Sequence, residues 1–400
     1  MNRRALLKGL AVSPFIAYNE TGSTKSPFGS MHVAVIGSGA FGCWTALNLV
    51  EQGVQVTLID PWGPGNSRSS SGGESRLIRS VYGANPIYTQ WVQRSFELWL
   101  KLQKQAGQRI YFPTGLLWMF SGDDELMQES LPVVEKAGYR IDTLPMNHAE
   151  KQFPHINFSD VKSVYYEHSA GYLLSRVACQ IIEDRVCKLG GRVIREAALP
   201  IHQLSGGLDK ITLADGASLY ADHFVFACGP WLGQLLPDLL QPIIIPTRQD
   251  VLFFGLPEHS EYTQSMPSWV NIGDRIFYGM ANPENRGFKV ADHSAGDVIN
   301  PTTVDRTVDI ASLKRASEFL SHRFPDLDGA PLVESRVCQY ENSPDTHLVI
   351  DQYPDADNAW VVGGGSGQGF KISPAVGEYV CSRILERVDH EPLFGISRFL

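Results

Sequence analysis

At 400 residues, with 43% hydrophobic and 19% charged side chains, the chain is too long for one ordinary domain and suits two, each with its own core. A formal net charge of −9 argues against a broad phosphate-binding surface, so nucleic acid is not an expected partner. The six cysteines (Cys43, Cys179, Cys187, Cys228, Cys338 and Cys381) show neither the CxxC pairs of a zinc site nor the density of a disulfide scaffold, so no metal is expected.

The chain opens on Arg3-Arg4 ahead of a short apolar stretch ending near Ala17. That stretch is too short to cross a bilayer core of ~30 Å as a helix, so no stable membrane insertion is expected. Its pattern is that of a twin-arginine export signal, Arg-Arg-x-Phe-Leu-Lys, with Leu6 in place of Phe and no clear cleavage site. Such a signal sends a folded protein to the periplasm; if Met31 is the true start, the protein is cytoplasmic. Residues 18–30 are polar and turn-rich and read as a linker.

The folded body begins at about His32. The apolar run 32–36, a helical pattern over 40–52 and a second apolar run over 55–60 make a βαβ unit. Residues 63–75 are a Gly/Ser-rich loop, and Trp91, Phe96, Leu98 and Leu100 mark a helix over about 86–105. A strand over 110–120, helices over 123–137 and 174–189, and a strand over 192–195 follow. Cys179 and Cys187 on the second of those helices stand roughly 12 Å apart, beyond disulfide reach. Residues 223–228 read as a buried strand, while 251–254 and 275–280 suit a sheet outside the βαβ unit. No period of 20–50 residues repeats.

Gly37-Ser38-Gly39-Ala40-Phe41-Gly42 fits the GxGxxG dinucleotide fingerprint, in register between a strand and a helix. Gly37 permits the tight turn, Gly39 lets the backbone approach a pyrophosphate, and Gly42 lets helix and strand pack closely. The helix start offers N–H groups and partial positive charge. Asp60 ends the next strand, where it would bind ribose hydroxyls and repel a 2′-phosphate, so NADP is disfavoured.

This motif does not distinguish NAD from FAD, but later stretches do. They are Ser71-Gly72-Gly73-Glu74-Ser75-Arg76-Leu77-Ile78-Arg79, Phe224-Val225-Phe226-Ala227-Cys228-Gly229-Pro230-Trp231, Glu334-Ser335-Arg336-Val337-Cys338-Gln339-Tyr340 with His347-Leu348-Val349-Ile350-Asp351, and the glycine-rich segment 363–377. Together they make residues 31–385 resemble the sarcosine oxidase group of the D-amino-acid-oxidase-like flavoenzymes, which includes N-methyltryptophan, pipecolate and fructosyl-amino-acid oxidases. The resemblance implies FAD, an α/β fold with a Rossmann-type FAD-binding domain, and a second, mixed-sheet substrate domain. The FAD-binding domain is expected at 31–84, 151–235 and 336–400, and the substrate domain at 85–150 and 236–335.

The resemblance also implies roles. Cys338 matches a cysteine that forms a thioether to the flavin; such a bond needs a thiolate, which positive surroundings such as Arg336 would favour. Arg79 and Lys371 match two cations that hold a substrate carboxylate, a task suited to a guanidinium fork and a point charge. Tyr340 matches a tyrosine lining the substrate pocket, Lys289 a lysine that activates oxygen, and Arg76 a residue facing the flavin. Gly229, Gly365, Gly367, Gln368, Gly369 and Phe370 are expected at the cofactor with Gly37, Gly39, Ala40, Phe41, Gly42 and Asp60. Glycines before a helix let backbone approach the isoalloxazine and aim helix N–H groups at it.

Gly72 and Gln368 depart from the pattern, standing where sarcosine oxidases carry histidines, so histidine-assisted deprotonation at those positions is not carried over. The implied reaction is oxidation of a small secondary-amine amino acid to an imine, with oxygen reduced to hydrogen peroxide. The alternative is an FAD-dependent amino acid dehydrogenase or demethylase that passes electrons to a carrier or quinone. A ligand-binding protein without activity is disfavoured by Arg79, Tyr340, Lys289 and Lys371 together. Neither GxSxG nor HExxH occurs.

Overall fold

In the computed structural model the strand His32–Ile36 is apolar on both faces, and Val33, Ala34 and Val35 are fully buried. A run of this kind suits a central parallel strand covered on both sides. It lies between Gln55–Ile59 and His223–Phe226, both parallel to it. The sheet has six strands in the order Val349–Tyr353, Ala356–Gly363, His223–Phe226, His32–Ile36, Gln55–Ile59, Arg192–Ile194, with only the first antiparallel. Alternation sorts its side chains into two cores. Val33, Val35, Val56 and Leu58 pack with the helices Ala40–Glu51, Ser175–Lys188 and Gly369–Ile384, while Ala34, Ile36, Phe224 and Phe226 pack on the other face with Leu232 and Leu240. The structure describes residues 28, 30–202, 204, 206–258, 262–263, 266–294 and 296–400, so the export-signal reading of the N-terminus lies outside the described residues. No helix among the described residues is long and apolar enough to cross a membrane.

The second sheet has eight strands: Leu332–Asn342, Ile245–Phe254, Phe288–Asp292, Ile276–Met280, Ser268–Ile272, Leu116–Phe120, Ser163–Glu167 and Ile141–Leu144. All neighbours are antiparallel except Ser268–Ile272 with Leu116–Phe120. The helix Ile310–Arg323 covers it, started by Asp309 accepting from the Ser312 amide at 3.2 Å, and Trp269, Phe288 and Phe324 fill the space beneath. A third sheet joins Ser75–Ile78 to Gly171–Leu174 and the short Tyr111–Phe112.

The α/β class is as expected, but several expectations shift. The strand expected over 110–120 is two strands in different sheets, because Gly115 turns with φ +72° between them. The start of the helix expected from 174 is preceded by the strand Gly171–Leu174, and the helix itself is Ser175–Lys188. Packing also joins segments expected in different domains. Pro86–Ala106, placed with the substrate domain, packs Trp91, Leu98 and Trp99 into the Rossmann-side core because its buried stripe meets Gly369–Ile384. Ser163–Glu167 and Leu332–Asn342, which overlap segments assigned to the FAD-binding domain, are strands of the eight-stranded sheet.

Candidate active site

The first turn is built for backbone contact with a ligand. Gly37 has φ +106°, and a Cβ there would stand 2.4 Å from the Ala227 carbonyl oxygen; one on Gly42 would stand 1.8 Å from the Gly37 oxygen. Neither position accepts a side chain, so strand and helix close together and leave the helix start open. Gly39 precedes that helix with no side chain capping it, leaving N–H groups available to a phosphate. Asp60 is buried, and its carboxylate accepts from the amides of Ser38 (2.9 Å), Trp62 (2.8 Å) and Gly63 (2.7 Å).

A cavity of about 320 Å³ runs from Asp60 to the glycine-rich segment before Gly369–Ile384. Gly37, Gly39, Ala40, Phe41, Asp60, Arg76, Gly229, Tyr340, Gly365, Gly367, Gly369 and Phe370 line it, which brings together most of the expected cofactor residues. Gly42 lies behind the turn. Glu341, which sequence reasoning did not select, also faces this space. The volume is that of a small-molecule or cofactor site, and the side-chain-free turn at its wall fits a dinucleotide. Gly72 admits no side chain, since its Cβ would meet the Asn66 oxygen at 1.7 Å; that accounts for one departure from the family pattern.

At the edge of the eight-stranded sheet, Cys338 is buried and forms no disulfide. Arg76 directs Nη2 at its sulfur (3.5 Å) and also donates to the carbonyls of Ser75 (2.8 Å) and Ser70 (2.6 Å). Arg336 is not the cation at the sulfur, as the sequence reading expected. It is paired with Glu74 and, at 3.1 Å, with Glu334. Two carboxylates claim its charge, and Glu74 is distant in sequence, so the pairing was not visible there. Lys289 is fully enclosed and donates to the Ser75 carbonyl (2.9 Å) and hydroxyl (3.2 Å). Burial, followed by the nearby Arg76 charge, pushes its pKa down to about 7.

A second cluster surrounds Tyr82. The Arg79 guanidinium lies 4.6 Å from the Tyr82 ring and 5.4 Å from the Trp118 ring, and donates to the Val81 carbonyl. The Lys371 ammonium lies 5.3 Å from the same Tyr82 ring and donates to the Gln368 carbonyl at 3.1 Å, which places Gln368 as a backbone partner. Burial, then the Arg79 charge, holds Lys371 well below the usual lysine range. Glu167 supports this arrangement from beneath. It is fully buried and accepts from the Ser80 amide (2.6 Å), the Ser80 hydroxyl (2.8 Å) and Trp118 Nε1 (3.1 Å).

His293 lies beside these cations, with its Nδ1 3.1 Å from the Tyr340 hydroxyl. Burial, then the Arg79 and Lys371 charges, pushes the His293 imidazole down to about 4, so it is neutral at ordinary pH. Gly367 has φ +73°, and a Cβ there would come within 2.6 Å of the Tyr340 ring and 2.7 Å of the His293 ring. The glycine therefore lets the aromatic pair pack directly onto backbone. His293, Glu167, Trp118 and Glu341 escaped sequence reasoning; the one available signal for His293 is its position four residues after Lys289, just past the end of the same strand.

Residues 32–383 match the FAD dependent oxidoreductase (DAO) family. The chain belongs to that family. This FAD dependent oxidoreductase is 29% identical over 376 residues to monomeric sarcosine oxidase from Bacillus sp. (strain B-0618), covering 92% of this chain and 95% of that protein. It is 26% identical over 350 residues to N-methyl-L-tryptophan oxidase from Yersinia pestis (strain Pestoides F), covering 86% and 92%. Its fold is shared with L-proline dehydrogenase from P. horikoshii, at a TM-score of 0.78 and 20% identity over 92% of this chain and 97% of that one. The chain is thus an FAD-dependent oxidoreductase of the amine and amino-acid oxidase type, acting on C–N bonds.

Proposed function

We propose that the protein oxidises the C–N bond of a small N-methyl or cyclic secondary-amine amino acid to an imine, with oxygen reduced to hydrogen peroxide. The observation that carries this reading is the convergence of Arg79 and Lys371 on the single ring of Tyr82, next to the Tyr340–His293 pair. A half-buried guanidinium and a buried lysine, with no carboxylate bonded to either among the described residues, call for an anionic ligand. A substrate carboxylate supplies the missing counter-charge and restores the Lys371 proton. Neutral His293, with Nδ1 engaged by Tyr340, offers its other ring nitrogen to the substrate amine and thereby orients the C–N bond. When bound, FAD supplies the two-electron acceptor. The residues lining the cavity would hold it, and the reading includes a thioether at Cys338, supported by a buried, unpaired thiol beside Arg76.

The test is peroxide release from a panel of N-methyl and cyclic amino acids, with a visible spectrum of the protein before and after acid precipitation. Peroxide and colour retained in the precipitate, but lost from it in Cys338→Ser, support the whole reading. Turnover of primary amines alone would overturn the substrate class. A dehydrogenase that passes electrons to a carrier or quinone is the second reading, favoured by the burial that takes away much of the Lys289 charge near pH 7. Fast reduction of a dye with no peroxide in air decides for it. Export is proposed from the Arg3-Arg4 pattern alone, and cell fractionation of the Arg3→Lys/Arg4→Lys double variant tests it.

A further inference from the structure

Glu341 lies on the strand Leu332–Asn342 with its carboxyl directed into the cofactor cavity. The residue is 7% exposed, and Oε2 is buried with no hydrogen-bond partner. Around it the backbone has been cleared of side chains. Its carboxyl oxygens would lie 2.9 Å from a Cβ on Gly365, 3.3 Å from one on Gly229 and 3.6 Å from one on Gly363. A buried polar atom without a partner costs about 1–3 kcal/mol, so one kept at the wall of a ligand cavity points to a partner that arrives with the ligand.

We propose that Glu341 is a cofactor-binding residue that meets FAD as an uncharged carboxylic acid and donates a hydrogen bond to an oxygen of the cofactor's ribityl–diphosphate chain. The proposal rests on the FAD-dependent character of the family and extends it to a residue of this chain's own. The site's charges favour the acid form. Burial pushes Glu341 up to about 8, opposed only by the Gly365 amide, and no lysine or arginine among the described residues acts on it. The titratable group facing it from the neighbouring turn is the Cys228 thiol, which burial, Asp60 and Glu341 all push up. Its register partner on the adjacent strand is Pro246, and the glycine segment contributes backbone alone. A diphosphate entering the same cavity brings further negative charge, so an ionised Glu341 opposes FAD while a protonated one binds it.

The test uses Cys338→Ser apoprotein, in which flavin exchanges freely, with FAD affinity read by quenching of flavin fluorescence from pH 6.5 to 9.5. With Glu341 present, affinity is expected to fall about tenfold per pH unit above 8; in Cys338→Ser/Glu341→Gln this fall is absent. Glu341→Thr, a second variant lacking the ionisable group, is expected to bind more weakly but without that fall, which keeps the test decisive if the glutamine variant fails to fold. Equal pH profiles with and without Glu341 would overturn its role while leaving the cofactor reading intact. Affinity that holds or rises with pH in the Glu341 protein would mark a carboxylate accepting from a hydroxyl, and would also overturn it. No FAD binding at any pH in any protein would overturn the cofactor assignment together with the proposal.

Discussion

Lys371 carries a titration that reports on the carboxylate reading. Its ammonium is destabilised by burial and by Arg79 until an anion joins the pair. Binding a carboxylate should therefore take up a proton at Lys371. The inhibition constant of a competitive carboxylate that lacks the amine is expected to weaken as pH rises, and the slope is expected to vanish in Lys371→Met. A slope that survives in the variant places the proton elsewhere. Arg79→Lys removes the planar fork and its stacking on Tyr82 and Trp118, so affinity for the same inhibitor should drop by about 10–100-fold. Lys289 makes a stability prediction of its own. Its pKa falls from 10.5 to about 7 on folding, so the unfolded chain binds more protons between those values. The folded state is penalised as pH drops from 10.5, and the penalty is complete below 7. Lys289→Met should raise apoprotein stability most below pH 7, by roughly 5 kcal/mol at the upper bound. Urea unfolding at pH 6 and pH 10 checks the sign: an equal gain at both values would refute it.

Two glycine turns locate the chemistry, and they separate by their function. Gly42→Ala drives a methyl into the Gly37 oxygen at the strand-to-helix junction, so the purified variant should lack flavin absorbance. Gly367→Ala instead pushes against Tyr340 and His293, so flavin should remain while KM for the amino acid rises. Loss of flavin in the second variant would contradict that division. The first turn was legible in the sequence because everything it needs is local: strand, glycines, helix and Asp60 lie within 29 residues, 32–60. The pocket was legible only where a motif carried it. Arg79, Lys371 and Tyr340 come from separate short matches, and tertiary packing draws them together. Glu167 was missed because its role depends on Ser80 and Trp118, reached through the pairing of Leu116–Phe120 with Ser163–Glu167. Arg336 was misjudged for the same reason, since strand alternation sets it on the side of Cys338 but Glu74, 262 residues away, takes its charge. Nor did hydrophobic periodicity separate Tyr111–Phe112 from Leu116–Phe120, because both are apolar and only the turn at Gly115 sends them to different sheets.

At the scale of the molecule, the cavity is bounded by both large sheets: Gly37 and Asp60 from the parallel one, Tyr340 and Glu341 from the edge strand of the mixed one. A cofactor held there bridges two sheets that pack separate cores, so its binding energy should contribute to the stability of the whole chain. If Cys338 is joined to the flavin, that contribution cannot be diluted away, and the melting temperature of the wild type will not respond to added FAD. In Cys338→Ser the flavin becomes an ordinary ligand, and stabilisation follows its free concentration, reaching about 2.7 kcal/mol at a hundredfold excess over Kd. For a chain of this size that corresponds to a rise of a few degrees. Calorimetry of both proteins across an FAD titration therefore reads attachment and bridging together. A wild type that melts higher with each addition of FAD would mean that Cys338 holds nothing covalently. A Cys338→Ser variant whose two cores melt apart, with only one responding to FAD, would mean that the cofactor belongs to the parallel sheet alone.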